Sequence, residues 1–335
     1  MLLTVHAPTH DYPIYMEPGL LRSVGELLPL KRRALVVTDS GVPKEYAEVV
    51  AAACREARIV RIPQGEGSKT LDTFRLLLSE MLDAGLTRSD CVVSVGGGMT
   101  GDVSGFAAAS YMRGVDLFHI PTTLLSQADS SIGGKTGVDF GGVKNSVGAF
   151  YPPKGVVIDP ALLDSLPPRE LSAGMAELIK MAVTCDGELF RDIAECGDLP
   201  AALPGLLFRA LRIKKRIVEA DPGEGGLRRV LNFGHTVGHA LEARAGGALL
   251  HGECVAVGML PFCGDGLRPV LAEVLRKYGL PTVLPYPAEA LMPYILHDKK
   301  KTSERIVTVC CDAPGTFRFQ EMLPEEIAGR LEGIR

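Results

Sequence analysis

No stretch of this sequence is long and apolar enough to cross a bilayer as a helix, because its apolar runs are short and interrupted. It also lacks any Cys-x-x-Cys pair. Its eight cysteines (Cys54, Cys91, Cys185, Cys196, Cys254, Cys263, Cys310 and Cys311) are scattered through mostly apolar segments. That argues against a disulfide framework or a thiolate zinc site and for buried thiols in a reducing cytoplasm. Neither sign of charge predominates. A formal net charge of −4 offers no basic field for nucleic acid or an anionic membrane. The opening residues MLLTVHAPTHDYPIY have neither a cationic start nor a long apolar centre, so no secretory signal is expected. There is no internal repeat and no low-complexity segment. The apolar share of 46% and charged share of 23% describe a globular chain, and 335 residues allow one large domain or two ordinary ones.

What is present begins with an alternation. Short β-branched runs at 34–38, 58–62, 91–95 and 116–120 are separated by helical patterns at 43–55 and 69–84, the second stopped by Gly85. Near-continuous apolar strands separated by helices predict a parallel sheet covered on both faces. Beyond Pro167-Pro168 the periodicity is almost wholly helical, with helices predicted at about 169–184, 204–219, 233–245, 253–264, 268–278 and 323–333. A late hairpin is expected from 306–311 and 316–319. The expected organisation is an α/β, Rossmann-like N-terminal domain over 1–165 and a mainly α-helical C-terminal domain over 166–335.

Three of the seven histidines fall within Asn232-Phe-Gly-His235-Thr-Val-Gly-His239-Ala-Leu-Glu242 and His251-Gly-Glu253. His235 and His239, four apart, share one face of a helix, and a turn can return His251 to them. Such a cluster suits a divalent metal. It is not a zinc-protease motif, because Thr236 occupies the glutamate position. Two core histidines and a helix cap would give the same pattern.

Gly96-Gly97-Gly98-Met99-Thr100-Gly101-Asp102 follows a predicted strand and precedes a small-residue helix from Val103 to Ser110. Glycines there let backbone approach a ligand, and free N–H groups at a helix start suit a pyrophosphate. The string follows a late strand, and Asp116 precedes the next strand instead of ending it, so the standard dinucleotide fingerprint does not apply. A dinucleotide or phosphate loop and a ligand-free tight turn both remain open. Pro63-Gln-Gly65-Glu66-Gly67-Ser68-Lys69 also follows a strand and opens a helix, and its acid could accept from ribose hydroxyls. The stretch from 121 to 148 is rich in small polar residues and is expected as a long loop. Gly134-Lys135-Thr136 resembles the end of a P-loop, but Asp129 stands where glycine is needed. What remains is a carboxylate, an ammonium and hydroxyls, a set suited to a polyhydroxylated anion.

Taken together with Tyr111-Met-Arg113-Gly114, Pro121-Thr-Thr-Leu-Leu125, Asp129-Ser-Ser-Ile-Gly-Gly-Lys135-Thr-Gly137, Lys144-Asn145, Ala176-Glu177-Leu-Ile-Lys180 and Asp298-Lys-Lys300, these segments resemble the 3-dehydroquinate synthase family. The resemblance runs from about Glu66 to Lys300. It implies NAD, a divalent metal (zinc, or cobalt in its place) and a homodimer. The implied reaction converts 3-deoxy-D-arabino-heptulosonate 7-phosphate to 3-dehydroquinate and phosphate, in the shikimate pathway of aromatic amino acid biosynthesis. By position, the implied metal ligands are Glu177, His235 and His251. His239 and Glu224 become proton-transfer groups, and Asp129 and Lys135 both catalytic and substrate-binding. Substrate would also meet Asn145, Lys180, Lys214, Arg228, Asn232 and one of Lys299 or Lys300, with Arg113 reaching phosphate from a partner subunit. The NAD site would comprise Asp39, Glu66, Lys69, Gly97, Gly98, Met99, Asp102, Thr122, Thr123, Lys144 and Asn145. The alternatives are another sugar-phosphate cyclase or a metal-dependent glycerol or alcohol dehydrogenase. The Asp129–Lys135 stretch, altered in cyclases that make valiolone or inosose rings, is intact here and favours dehydroquinate.

Overall fold

Val36, Val93 and Ile120 alternate with Leu35, Val92 and Leu117 between two separate apolar clusters, one on each face of a central sheet. A strand can be apolar at every position only when both its faces are covered. The computed structural model describes residues 1–297 and 305–334. The chain divides into two units, Met1–Leu166 and Pro167–Arg335.

The first unit runs β1 (Leu2–His6), β2 (Asp11–Met16), α1 (Val24–Leu27), β3 (Arg33–Asp39), α2 (Lys44–Ala53), β4 (Glu56–Ile62), α3 (Leu71–Asp83), β5 (Cys91–Gly96), α4 (Gly98–Ser110), β6 (Asp116–Pro121), β7 (Lys135–Phe140), β8 (Val143–Phe150) and β9 (Gly155–Ile158). Seven strands form one sheet in the order β1-β2-β9-β6-β5-β3-β4. Only the edge pair β1–β2 is antiparallel; every other pairing is parallel. The four strands predicted from β-branched runs are the contiguous block β6-β5-β3-β4, with β4 at the sheet edge. After β3 the chain steps to β4 on one side, then crosses to β5 on the other. The ends of β3 and β5 therefore bound a topological switch point, where open α/β sheets bind ligands.

The polar stretch expected as a loop is largely ordered. Ser126–Ser130 forms a wide helical turn, and β7 and β8 form an antiparallel hairpin. Gly141 and Gly142 close the hairpin with φ of 60° and 78°, both values open to glycine without strain and typical of the tightest hairpin turns. Val138 of β7 is sealed in the core beside α3 and α4, which anchors the hairpin to the unit.

The second unit carries α5 (Pro168–Cys185), α6 (Gly187–Glu195), α7 (Leu199–Ala220), α8 (His235–Ala245), α9 (His251–Met259), α10 (Leu267–Lys277), α11 (Ala288–His297), β10 (Ile306–Cys310), β11 (Arg318–Met322) and α12 (Pro324–Glu332). Helices α7, α8 and α9 start two or more residues from where the periodicity predicts. Helix α7 opens five residues before Pro204, with the Asp198 side chain accepting from the Ala201 N–H and a proline in its first turn. Proline is tolerated there because its missing N–H would be unpaired anyway. Helix α9 begins at His251, so that histidine is helical rather than part of a preceding turn. No described helix is long and apolar enough to cross a membrane.

Glycines set the helix packing. A Cβ on Gly252 would overlap the Ala173 carbonyl of α5, and one on Gly258 would overlap the Gly234 carbonyl just before α8. At these two points α9 touches its neighbours backbone to backbone.

Candidate active site

Helix α5 is buried from Ala173 to Thr184, and that run includes Glu177 and Lys180, both 1% exposed. Such charges are tolerated in an interior only when paired or ligating. Gly252 presses α9 onto α5 one turn before Glu177, and Gly258 draws α9 onto the entry to α8. The first residues of α8 and α9, His235 and His251, thereby converge on Glu177. One ligand atom from each of these three residues lies within 4.8 Å of the other two. Glu177 Oε1 is 3.9 Å from His235 Nε2 and 3.5 Å from His251 Nε2.

Both Glu177 oxygens are buried without a hydrogen bond of acceptable geometry, although Lys180 and His251 stand beside them. Orphaned carboxylate oxygens facing two imidazole nitrogens fit a divalent cation held by two nitrogens and one oxygen. The electrostatics agree. Burial alone would raise the Glu177 carboxyl, but the Lys180 ammonium, then His251, hold it down at about 2. Burial and then the Lys180 charge push His235 well below its ordinary value, so it stays neutral, as a ligand must. Burial would also lower His251, but the Glu177 and Glu242 carboxylates beside it outweigh that and hold the imidazole up at about 10.

His239 lies beside the triad, its ring centroid 5.1 Å from that of His235 and 6.1 Å from that of His251. Glu224 has the left-handed φ of 60°, uncommon for a residue with a side chain, and its Oε1 accepts from Asn232 Nδ2 at 2.9 Å. Lys214 on α7 and Arg228 in the turn Leu227–Asn232 are 4% and 3% exposed. With Lys180 they are three buried cations in this unit, the complement expected for an anionic ligand. Lys299 and Lys300 lie outside the described residues.

In the first unit, Asp39, Gly97, Gly98, Met99, Asp102, Thr122 and Thr123 gather at the carboxyl ends of β3, β5 and β6 or in the first turns of α4. Asp39 Oδ2 accepts from Thr100 Oγ1 at 2.7 Å, spanning the switch point. The glycine string is not the turn before a helix from Val103; α4 already begins at Gly98, with Gly97 capping it and no side-chain cap. None of Gly96, Gly97 and Gly98 has a positive φ. They are small because a Cβ would crowd Thr100, Thr123 or Ser130, and the first N–H groups of α4 are left without intrahelical partners.

Glu66 lies in the turn Glu66–Ser68, and the helix that follows is capped by Thr70 rather than Ser68. Lys69 is buried, with Nζ 2.6 Å from Asp102 and 3.6 Å from Glu66. Burial would lower the Lys69 ammonium, but those carboxylates keep its pKa above the ordinary value. Asp129 sits in the wide turn, Lys135 opens β7, and Lys144 and Asn145 fall on β8 rather than in a loop. Asn145 is left-handed at φ 52° and its N–H donates to Asp139. Arg113, after α4, is left-handed at φ 65°.

Three contributors escape the sequence patterns. Glu242 stands against His251 Nδ1 at 3.4 Å; its place seven residues after His235, two helical turns along one face, was a usable signal. Gly252 and Gly258 carry no such signal, because a helix-contact glycine has no periodicity of its own.

Family models for the 3-dehydroquinate synthase N-terminal and C-terminal domains match residues 59–173 and 174–301. A 3-dehydroquinate synthase of Symbiobacterium thermophilum is 45% identical over 97% of this chain and 98% of its own length. A solved 2-epi-5-epi-valiolone synthase from Streptomyces hygroscopicus subsp. jinggangensis, with NAD+ and Zn2+ bound, is 28% identical, with a TM-score of 0.89 over 96% of each chain. A solved 2-deoxy-scyllo-inosose synthase, complexed with carbaglucose-6-phosphate, NAD+ and Co2+, is 25% identical, with a TM-score of 0.89 over 100% of each chain. With a Glu-His-His cluster built around a buried Glu177 and a glycine-led helix at the switch point of a parallel sheet, this chain belongs to the 3-dehydroquinate synthase family.

Proposed function

We propose that this chain is a 3-dehydroquinate synthase, a phosphate-eliminating lyase that converts 3-deoxy-D-arabino-heptulosonate 7-phosphate to 3-dehydroquinate with catalytic NAD and a zinc or cobalt ion. The observation that carries this is the convergence of Glu177, His235 and His251 to within 4.8 Å, with Lys180 one turn from Glu177 on buried α5. An alcohol dehydrogenase has use for the metal ligands but none for Lys180, Lys214 and Arg228. Dehydroquinate synthases matching nearly the full length are 45% and 40% identical, against 25% and 28% for the solved inosose and valiolone synthases, which favours the dehydroquinate ring.

Bound at these sites, the metal would supply Lewis acidity toward substrate oxygens and NAD a reversible hydride acceptor. The protein's own groups do the rest. Asn232 orients hydroxyls, and Glu224, which accepts a hydrogen bond from it, exchanges a proton. His239 holds a proton beside the metal position. Lys180, Lys214 and Arg228 neutralise carboxylate and phosphate, and Asp129, Lys135 and Asn145 contribute polar contacts. The α4 N-terminus with Asp39, Glu66, Lys69, Gly97, Gly98, Met99, Asp102, Thr122, Thr123 and Lys144 receives the cofactor. The active form is a homodimer in which Arg113 serves the partner's substrate, and the enzyme is cytoplasmic.

The test is to incubate purified protein with the heptulosonate phosphate, divalent metal and substoichiometric NAD. Stoichiometric phosphate and dehydroquinate are expected. Absence of phosphate release with metal and NAD present would sink the proposal, and accumulation of reduced cofactor would indicate a dehydrogenase.

A further inference from the structure

His251 lies between two carboxylates. Its Nε2 is 3.5 Å from Glu177 Oε1, and its Nδ1 is 3.4 Å from Glu242 Oε2. Glu242 belongs to α8, seven residues after His235 and three after His239, so one helix face carries all three groups. Its side chain is 13% exposed. The other histidine of the triad is held differently, with His235 Nδ1 facing the Phe233 carbonyl at 3.2 Å. A neutral carbonyl orients one imidazole and a charged carboxylate the other.

We propose that Glu242 is a positioning residue for the metal centre. It accepts the Nδ1–H of His251, fixes the tautomer that leaves Nε2 free toward Glu177, and makes that nitrogen a stronger donor. A carboxylate behind a ligating imidazole raises its basicity and fixes its ring plane. The charge count favours the same role. Glu177 and Glu242 together bring two negative charges to a divalent ion, which leaves the Lys180 ammonium in excess for an anionic substrate. Glu242 touches neither substrate nor cofactor in this role; it acts through His251.

This inference rests on the metal reading above, so the experiment separates the two. Cobalt binding to the metal-free protein is measured by competition with a chromophoric chelator and by the visible spectrum of bound Co2+, with melting of each metal-free variant recorded in parallel. The parent should bind one equivalent per chain; if it binds none, the metal reading itself fails. Glu242→Ala should weaken cobalt binding by about 10- to 100-fold and alter the visible bands. Glu242→Gln, which keeps an acceptor without the charge, should fall between Ala and the parent while melting like the parent when metal-free. Binding and spectra in both variants equal to the parent's would overturn the role. So would a loss of affinity matched by an equal loss of metal-free stability in both, since that marks a merely structural contact.

Discussion

Lys180 Nζ lies against a Glu177 oxygen one turn away on α5, with the two side chains only 2% and 1% exposed. The ammonium partly satisfies a carboxylate that would otherwise be buried and charged, yet it stands where it repels a cation on the same carboxylate. Lys180→Met should therefore pull two measurements apart. Metal-free protein should lose about 3–5 kcal/mol of stability, the usual cost of leaving one half of a buried pair. Metal affinity should rise about tenfold, roughly 1.4 kcal/mol, because the competing charge is gone, and turnover should collapse. Isothermal titration beside urea unfolding decides it; weaker metal binding would show that Lys180 supports the site.

Gly258→Ala places a methyl group against the Gly234 carbonyl, where the backbones leave no space. Helices α8 and α9 must separate, at a cost of about 1–3 kcal/mol for overpacking. His235 and His251 sit at the starts of those helices, so metal affinity should fall as well. A variant that is destabilised but binds metal with unchanged affinity would show that the ligands are held independently of this contact.

Lys69 is the cation most enclosed in the first unit, 2.6 Å from Asp102. Lys69→Met should cost about 3 kcal/mol, and Lys69→Met combined with Asp102→Asn should cost less than the single change, because no unpaired charge remains. Denaturant unfolding of both variants and the parent measures the difference. NAD affinity, followed by fluorescence, should drop in both.

Asp90 links the turn before β5 to β3. Its Oδ2 accepts from the Thr87 N–H at 2.7 Å and the Thr87 hydroxyl at 2.8 Å, and its Oδ1 from the Arg33 N–H at 3.2 Å. Burial would raise this carboxyl, but those hydrogen bonds win and hold it below its ordinary value. A depressed folded pKa contributes stability that is complete above the unfolded carboxyl value, about 3.9, and is lost as pH falls through the folded one. Asp90→Ala should cost about 2 kcal/mol at pH 7, and the gap from the parent should narrow below about pH 4. A gap unchanged down to pH 2 would mean the carboxylate charge contributes nothing.

The central sheet was legible because Leu35–Val37 and Cys91–Val93 are apolar on both faces, a pattern few alternatives can produce. The metal triad was partly legible. The spacing of His235 and His239 suggested a shared helix face, but geometry alone would have made His239 a ligand. The family resemblance pointed instead to Glu177, which the fold brings in from a helix more than fifty residues earlier. The β7–β8 hairpin was hidden because Lys144, Asn145 and Ser146 face solvent and lack the apolar alternation that marks a half-buried strand. The short strands β1 and β2 at the sheet edge, and β9 between β2 and β6, are defined by pairing with distant segments, a long-range property no local window holds. Glu242 sat in a quoted string yet had no role until α9 was seen to start at His251.

The contacts at Gly252 and Gly258 give the ligand geometry an unusual owner. Two main chains in direct contact cannot slide apart or together by changing rotamers, so the distances among Glu177, His235 and His251 are written into the backbone. Side chains on α7 and the Leu227–Asn232 turn are then free to be exchanged without moving the ligands. A scaffold of that kind can change which polyol it closes into a ring while keeping the same ion in the same place.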